Sequence, residues 1–507
     1  MKKDSRTTSQ IQIGAFIKNL REKKDLTQEG FAKALSTSQS AVARMEKGEQ
    51  NFTTELLNKI GNVLEHRIVS LSNSTDFEIQ GGRKLSGTIR TGYSKNGSVG
   101  LLCSSLLNRG KTILGGIAKI EEVLRVIEIL ESIGVKVSWT GPHTVEIVPP
   151  KVFSIEKLNK ESAVKTRSIL MIIGPLSHQI SSFKVPHAQG CHLGKRTIAA
   201  HAYALSELGI NINVTQEDYE VNSKKLSSGD IIMYEAGDTA VENVLTAAAL
   251  IPGTTTIKFA SSNYMVQEIC FFLTKCGVKI DGIGTSTLVV HGVKEINQTV
   301  EYHNSEDPIE SMMFVAAAIA TDSKLKITHM PINFMELELY KMGKMGLKYE
   351  TEKTYKSANG LTNLADVTIY PSKFIALDDK IHANPYPGIN IDNLPFFAIP
   401  AAKAKGQTLL HDWTYENRAI YLTELNRMGA QVTLADPHRV YIEGGNTLKP
   451  AQIVCPPALR PSMVIMIAML GASGTSILRN VYMINRGYED IVKRLNSIGA
   501  DIKIMQS

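Results

Sequence analysis

Little in this sequence speaks for an exported, membrane-bound or metal-held protein. Five cysteines are scattered over 507 residues: Cys103, Cys191, Cys270, Cys276 and Cys455. They form no CxxC pair and stand beside no histidine cluster at metal spacing. That argues against a disulfide framework and a zinc site. No apolar run approaches the roughly 20 residues that span a bilayer; the longest, Ile169–Ile173 and Met463–Leu470, are far shorter. The basic start, Met1-Lys-Lys-Asp-Ser-Arg-Thr-Thr, has no apolar stretch behind it, so no signal peptide is expected. A cytoplasmic chain without membrane contact is the expectation. Neither sign of charge dominates, the net being +7. Residues 1–71 hold 12 Lys/Arg against 8 Asp/Glu, which concentrates +4 of it at the N-terminus and suits an anionic partner there.

What is present is size, since 507 residues exceed one ordinary core and predict two or three domains. The first is small and helical. Ile13, Phe16, Ile17 and Leu20 fall at helical spacing within Ile11–Glu22. Leu26-Thr27-Gln28-Glu29 reads as a second helix start with Thr27 as N-cap. A polar Ser36-Thr37-Ser38 turn leads into a third helix over Gln39–Glu46, ended by Gly48, and Phe52–Leu64 forms a fourth. This order resembles the Xre/lambda-repressor-like helix-turn-helix family over about residues 11–70. The resemblance implies binding to double-stranded DNA, with Ser38, Gln39 and Ser40 reading base edges and Arg44 further along the third helix. Gln28 would approach phosphate. Such domains usually bind as dimers, which would make the whole chain a homo-oligomer. Ser70–Phe77 is polar and aperiodic; the domain boundaries read as 1–71 for the helical domain and 72–78 for a linker.

From about residue 79 the chain repeats. Six amphipathic helices end in a small or apolar residue and then glycine, at Gly134, Gly209, Gly277, Gly346, Gly429 and Gly499, spaced 75, 68, 69, 83 and 70 residues apart. A helix C-terminus needs a left-handed residue there. A turn before a strand precedes five of these glycines, at Gly110, Gly253, Asp322, Gly406 and Gly474, by 24, 24, 24, 23 and 25 residues. The copy ending at Gly209 lacks the turn and carries an extra loop, Pro186–Thr197; an insertion that breaks a repeat points to function. Each unit reads as an α/β module of about 70 residues around an alanine-rich helix, as at Ala247–Ala249 and Ala316–Ala318.

Six such modules look like the enolpyruvyl transferase fold, an inside-out α/β barrel in two globular domains, here preceded by the all-α helix-turn-helix domain. Local motifs resemble the UDP-N-acetylglucosamine 1-carboxyvinyltransferase family over about residues 79–505. They are Ser94-Lys95-Asn96, Gln189-Gly190-Cys191-His192-Leu193-Gly194-Lys195-Arg196, Ile391-Asp392, Glu416-Asn417-Arg418, Leu425–Ala430, Leu459-Arg460 and Asn485–Glu489. The resemblance implies domains at 95–305, with the Cys191 loop, and at 79–94 joined to 306–507. It implies phosphoenolpyruvate and a nucleotide-sugar acceptor as partners, with no cofactor and no metal. A ligand bearing phosphate and carboxylate requires cations from separate segments. Lys95, Arg196 and Arg460 match the phosphate side and Arg418 the carboxylate side, with Arg167 and Asn96 as further pocket residues. Asp392 would be the general base and Cys191 the general acid, beside Lys195 and Arg196 that lower a thiol pKa. The other four cysteines read as structural.

The nucleotide side departs from the pattern. Thr197 and Ala199 replace a Pro and an Asp, and Glu235-Ala-Gly237-Asp-Thr239 stands where the family has Lys-x-Ser-x-Gly. Asp307-Pro308 replaces an Asp-Arg pair, and Ala458 an Asp. Three functions fit. The first is transfer to the 3'-hydroxyl of UDP-N-acetylglucosamine for peptidoglycan precursor synthesis. The second is transfer to another nucleotide or sugar, and the third a DNA-binding regulator with the transferase module as ligand sensor.

Overall fold

The computed structural model describes residues 8–24, 26–49, 52, 54–64, 75–187 and 197–506. The chain divides into two compact units, Met1–Thr75 and Asp76–Ser507. No helix among the described residues is long and apolar enough to cross a membrane.

The N-terminal unit has four helices, Thr8–Lys23, Gln28–Ala34, Gln39–Glu46 and Thr54–Leu64. Thr27 and Ser38 cap the second and third, their hydroxyls accepting from the N–H groups of Gly30 and Ala41. Each cap satisfies one N–H that has no partner inside its helix. Ile17, Phe31, Leu35, Val42, Met45, Ile60 and Leu64 fill the core, and Gly48 (φ 68°) turns the chain out of the third helix.

The second unit is built from six small sheets around buried helices. The central strands of five sheets are Thr112–Gly115, Gly253–Lys258, Leu325–Pro331, Gln407–His411 and Gly474–Arg479. Each has one antiparallel and one parallel neighbour. These are the strands that follow the five turns. The sixth sheet, Ser182–Pro186, Asp218–Asn222 and Asn211–Val214, has three antiparallel strands and no parallel one. It belongs to the copy whose repeat is broken. All six helix-ending glycines are left-handed, with φ from 84° to 110°. Of the five turn residues, Gly253, Asp322, Gly406 and Gly474 are left-handed too. Gly110 is instead required by close approach, since a Cβ there would sit 2.4 Å from the Gln298 carbonyl oxygen.

The sheets lie outside and the helices inside. Pro308–Ala320 is buried over Pro308–Ile319 and Leu459–Gly471 over Arg460–Leu470. Close packing explains the run Ala316–Ala318 in the first, while the second fills its surroundings with Met463, Met466 and Met469. Pairing over long sequence distances ties the modules together. Val300–His303 pairs parallel with Thr112–Gly115, and Thr88–Arg90 with Leu325–Pro331. Thr75–Gly81 pairs antiparallel with Gly474–Arg479 and lies next to Ile502–Gln506. This strand corrects the expected linker at 72–78. Thr75, Asp76 and Phe77 are buried in the sheet, because Phe77 alternates inward with Ile79. Polar neighbours had masked a strand. The remainder of the expected linker, up to residue 74, lies outside the described residues.

Candidate active site and nucleic-acid interface

A cleft of about 700 Å³ opens in the second unit, lined from widely separated segments that include Lys95, Asn96, Arg167, Asp392, Arg418 and Arg460. Cys191 and Arg196 lie outside the described residues. The loop that would hold them leaves and re-enters at His187 and Thr197, and Thr197 lines the cleft.

Asp392 is the focus. Its Oδ2 accepts from Arg460 Nε at 3.2 Å and Nη2 at 3.1 Å, and its Oδ1 from Arg418 Nη1 at 3.4 Å. Burial pushes its pKa up, but Arg460, Arg418 and Lys95 outweigh that and hold the carboxyl below the usual range. Asp392 is therefore ionised at neutral pH. Arg418 is 2% exposed. Its Nε donates to Asp412, its Nη2 to the Ile391 carbonyl at 2.6 Å, and it lies over the Tyr415 ring at 4.4 Å. Arg460 donates to the Tyr488 hydroxyl at 2.9 Å. Two guanidinium groups held in this way keep their charge despite burial.

Lys95 opens the helix Lys95–Ser104, which Ser94 caps. Its Nζ lies 3.1 Å from Glu122, which also faces Arg486 at 3.5 Å. Glu122 is raised by burial yet brought down to about 2 by Lys95 and Arg486. Asn96 donates to the Tyr264 hydroxyl at 3.0 Å, and Arg167 to the Thr197 carbonyl at 2.8 Å. The Asn485–Glu489 motif contains Arg486 and Tyr488, to which the sequence assigns no role, and Glu122 and Asp412 stand in no motif. Arg486 could have been found from its motif. Glu122 gave no signal, because only the fold brings it to Lys95.

The departures also have structural counterparts. Asp307 caps the helix Pro308–Ala320, accepting from Ile309 N at 2.8 Å, and accepts from Lys95 N at 3.2 Å. Pro308 suits the first turn of that helix. Cys103, Cys270, Cys276 and Cys455 are buried. Burial pushes all four thiols up, Cys276 and Cys455 to about 12.

These cations from distant segments, gathered about one ionised carboxylate, suit a small substrate with two anionic groups. The family profile described as EPSP synthase (3-phosphoshikimate 1-carboxyvinyltransferase) matches residues 79–495. The chain belongs to the enolpyruvyl transferase family. The UDP-N-acetylglucosamine 1-carboxyvinyltransferase of Treponema denticola is 33% identical over 431 residues, 85% of this chain and 99% of that one. Its counterpart in Gloeobacter violaceus is 30% identical over 84% of this chain and 90% of its own length. Among solved structures, the enolpyruvyl transferase NikO from Streptomyces tendae superposes with a TM-score of 0.73 at 22% identity, covering 86% of this chain and 99% of its own. An EPSP synthase from Acinetobacter baumannii gives 0.68 at 19%, covering 85% and 100%. The enolpyruvyl transferase fold, the inside-out barrel expected from the repeats, is thus shared with both structures.

Residues 17–65 match a helix-turn-helix family profile. In this unit Gln39, Ser40 and Arg44 are exposed on the third helix. Ser38 is exposed as well, but its hydroxyl is engaged with Ala41 N and lies 3.0 Å from that of Ser40. Gln28, half-buried in the first turn of the second helix, donates through Nε2 to Glu46 at 2.9 Å. Glu46 is itself buried against Arg21, which donates to it through Nε and Nη2. Gln28 thus helps to fix the second helix against the third.

Proposed function

We propose that the second unit transfers the enolpyruvyl group of phosphoenolpyruvate to the 3'-hydroxyl of UDP-N-acetylglucosamine with release of phosphate, a cytoplasmic step in peptidoglycan precursor synthesis. The observation that carries this reading is the convergence of Lys95, Arg418 and Arg460 around Asp392 in one cleft. Lys95 and Arg460, with Arg196, receive the phosphate, and Arg418 the carboxylate; Asn96 and Arg167 complete the pocket. The ionised Asp392 accepts the acceptor's hydroxyl proton as its oxygen bonds to C2, while the C2–C3 π pair takes a proton at C3 from the Cys191 thiol. The tetrahedral intermediate then expels phosphate, and loss of a C3 proton restores the double bond. The fixed guanidinium groups stabilise the developing charge without reorganising. The halves 95–305 and 79–94 with 306–507 close over the substrates.

The identity of the relatives supports the acceptor. A second reading, transfer to a different hydroxyl acceptor, is favoured by the acidic residues Glu235 and Asp238 in the cleft lining. The first unit binds double-stranded DNA through Gln39, Ser40 and Arg44, with Ser38 and Gln28 setting the helix that carries them. Phosphate release by the purified chain from phosphoenolpyruvate and UDP-N-acetylglucosamine tests the transfer; none with this acceptor would rule that reading out. Fosfomycin is expected to label Cys191 covalently, and a Cys191→Ser chain is expected to escape labelling.

A further inference from the structure

Asp392, Arg418 and Arg460 belong to one of the two proposed halves, and Lys95 and Asn96 to the other. A base carried by one half meets a substrate held by the other only where a contact fixes their separation. Two polar contacts join the halves beside Asp392. They run from the segment before the helix Tyr264–Lys275 to the loop that ends at Asp392. Ser262 Oγ donates to the Tyr386 carbonyl at 3.0 Å, and Asn390 Nδ2 donates to Asn263 Oδ1 at 3.2 Å. The second bond joins residues 127 positions apart, and both of its partners line the cleft. Ser262, Asn263 and Asn390 are 6%, 7% and 8% exposed, so water competes little for these bonds.

The bond between the asparagines is the middle link of a chain. Asp238 Oδ2 accepts from Asn263 Nδ2 at 3.0 Å, and Asn390 Oδ1 accepts from the backbone N–H of Asp392 at 2.9 Å. Each amide therefore donates to one neighbour and accepts from the next. Asparagine suits both places, because one planar group holds donor and acceptor; a carboxylate lacks the donor. Both ends are fixed. Asn263 Oδ1 also accepts from Tyr264 N at 2.9 Å, which caps the helix. The backbone N–H of Asn390 donates to Glu338 at 3.0 Å, and Glu338 also holds Asn393. The approach to Asn263 is bent as well. The strand Gly253–Lys258 leads into Phe259, a cleft-lining residue whose left-handed backbone (φ 56°) turns the chain into Ser261–Asn263. Gly116 (φ 70°) and Asn480 (φ 56°) take that place after the central strands of two other modules.

We propose that Asn263 and Asn390 are positioning residues: their bond ties the two halves together and sets the Asp392 carboxylate against the acceptor's hydroxyl. This rests on the enolpyruvyl-transfer reading above and adds the contact that brings the base into register.

Serine at either position tests it. Asn263→Ser and Asn390→Ser each leave a hydroxyl for the local bond, to Tyr264 N and to Asp392 N, but are too short to meet each other. In each, kcat for phosphate release from phosphoenolpyruvate and UDP-N-acetylglucosamine is expected to fall about tenfold, the effect of one buried hydrogen bond. KM for phosphoenolpyruvate should stay unchanged. The double variant should fall no further than the slower single one, because both substitutions remove the same bond. Amide exchange of residues 388–393, followed by mass spectrometry on the full chain, should be about fivefold faster in Asn263→Ser. Unchanged kcat in either variant, multiplied losses in the double variant, or a change confined to KM overturns the proposal. So does unchanged exchange at 388–393, or a rise spread over the whole unit, which marks a merely structural role. Wild-type chain that releases no phosphate refutes the transfer reading instead, while exchange at 388–393 in Asn263→Ser still judges the bridge.

Discussion

On one wall of the cleft almost every charge is answered by another of the chain's own: Asp392 by Arg418 and Arg460, Glu122 by Lys95 and Arg486. On the other, Glu235 is exposed and Asp238 and Glu242 are carboxyls that burial raises, with no cation among the causes of their shifts. The first wall is prepaid electrostatics, its charges desolvated and oriented before any substrate arrives. The second is adjustable. A small dianion common to every turnover favours the first construction, because fixed cations need not reorganise. Of the second wall's three carboxyls only Glu235 is exposed and can change without disturbing the core; Glu242 is 2% exposed.

Mutations on the two walls should differ accordingly. Asp392→Asn keeps the shape and removes the carboxylate proposed as the base, and should lower kcat about 1000-fold in a phosphate-release assay. Arg418→Met leaves Asp412 and Asp392 short of a partner and should lower unfolding stability by about 3 kcal/mol in urea. The chain's two tryptophans, Trp139 and Trp413, both lie in the second unit, so their fluorescence reports that unit. Glu122 has a depressed pKa, so the stability it contributes is present above the ordinary carboxylate value near 4.5 and lost as pH falls toward about 2. Glu122→Gln should flatten the fluorescence-detected stability curve between those values, by on the order of 2 kcal/mol. The opposite wall should give the smallest effect and the reverse sign. Phe259→Asn relieves a left-handed phenylalanine and should raise stability by about 1 kcal/mol.

The sequence shows the first wall better than the second for the same reason. Lys95, Asp392, Arg418 and Arg460 sit in short motifs at element starts, where a local pattern carries the role. The six glycines were equally legible, because a left-handed helix end is a local requirement. Glu122 stands inside Glu121–Ser132, an amphipathic helix like any other, and becomes a partner of Lys95 only through packing. Phe77 reads as linker in the sequence because polar residues surround it and only Phe77 and Ile79 alternate as apolar residues in Thr75–Gly81. The bond from Gln28 to Glu46 gives no sequence signal either, because it joins residues 18 positions apart. Phe259 carries no sequence signal, since its interest lies in its φ.

The strand Thr75–Gly81 lies between Gly474–Arg479 and Ile502–Gln506, with Gln80 N donating to Asp501 O at 2.9 Å. The first strand of the catalytic unit therefore waits for the last few residues to be synthesised. The four-helix unit needs only the first 64 or so residues and can fold as soon as they emerge. A nascent or C-terminally truncated chain would own a finished helix-turn-helix while its catalytic sheet still lacked an edge. Shortening the chain by its final strand is thus a way to separate the two units in time rather than in space.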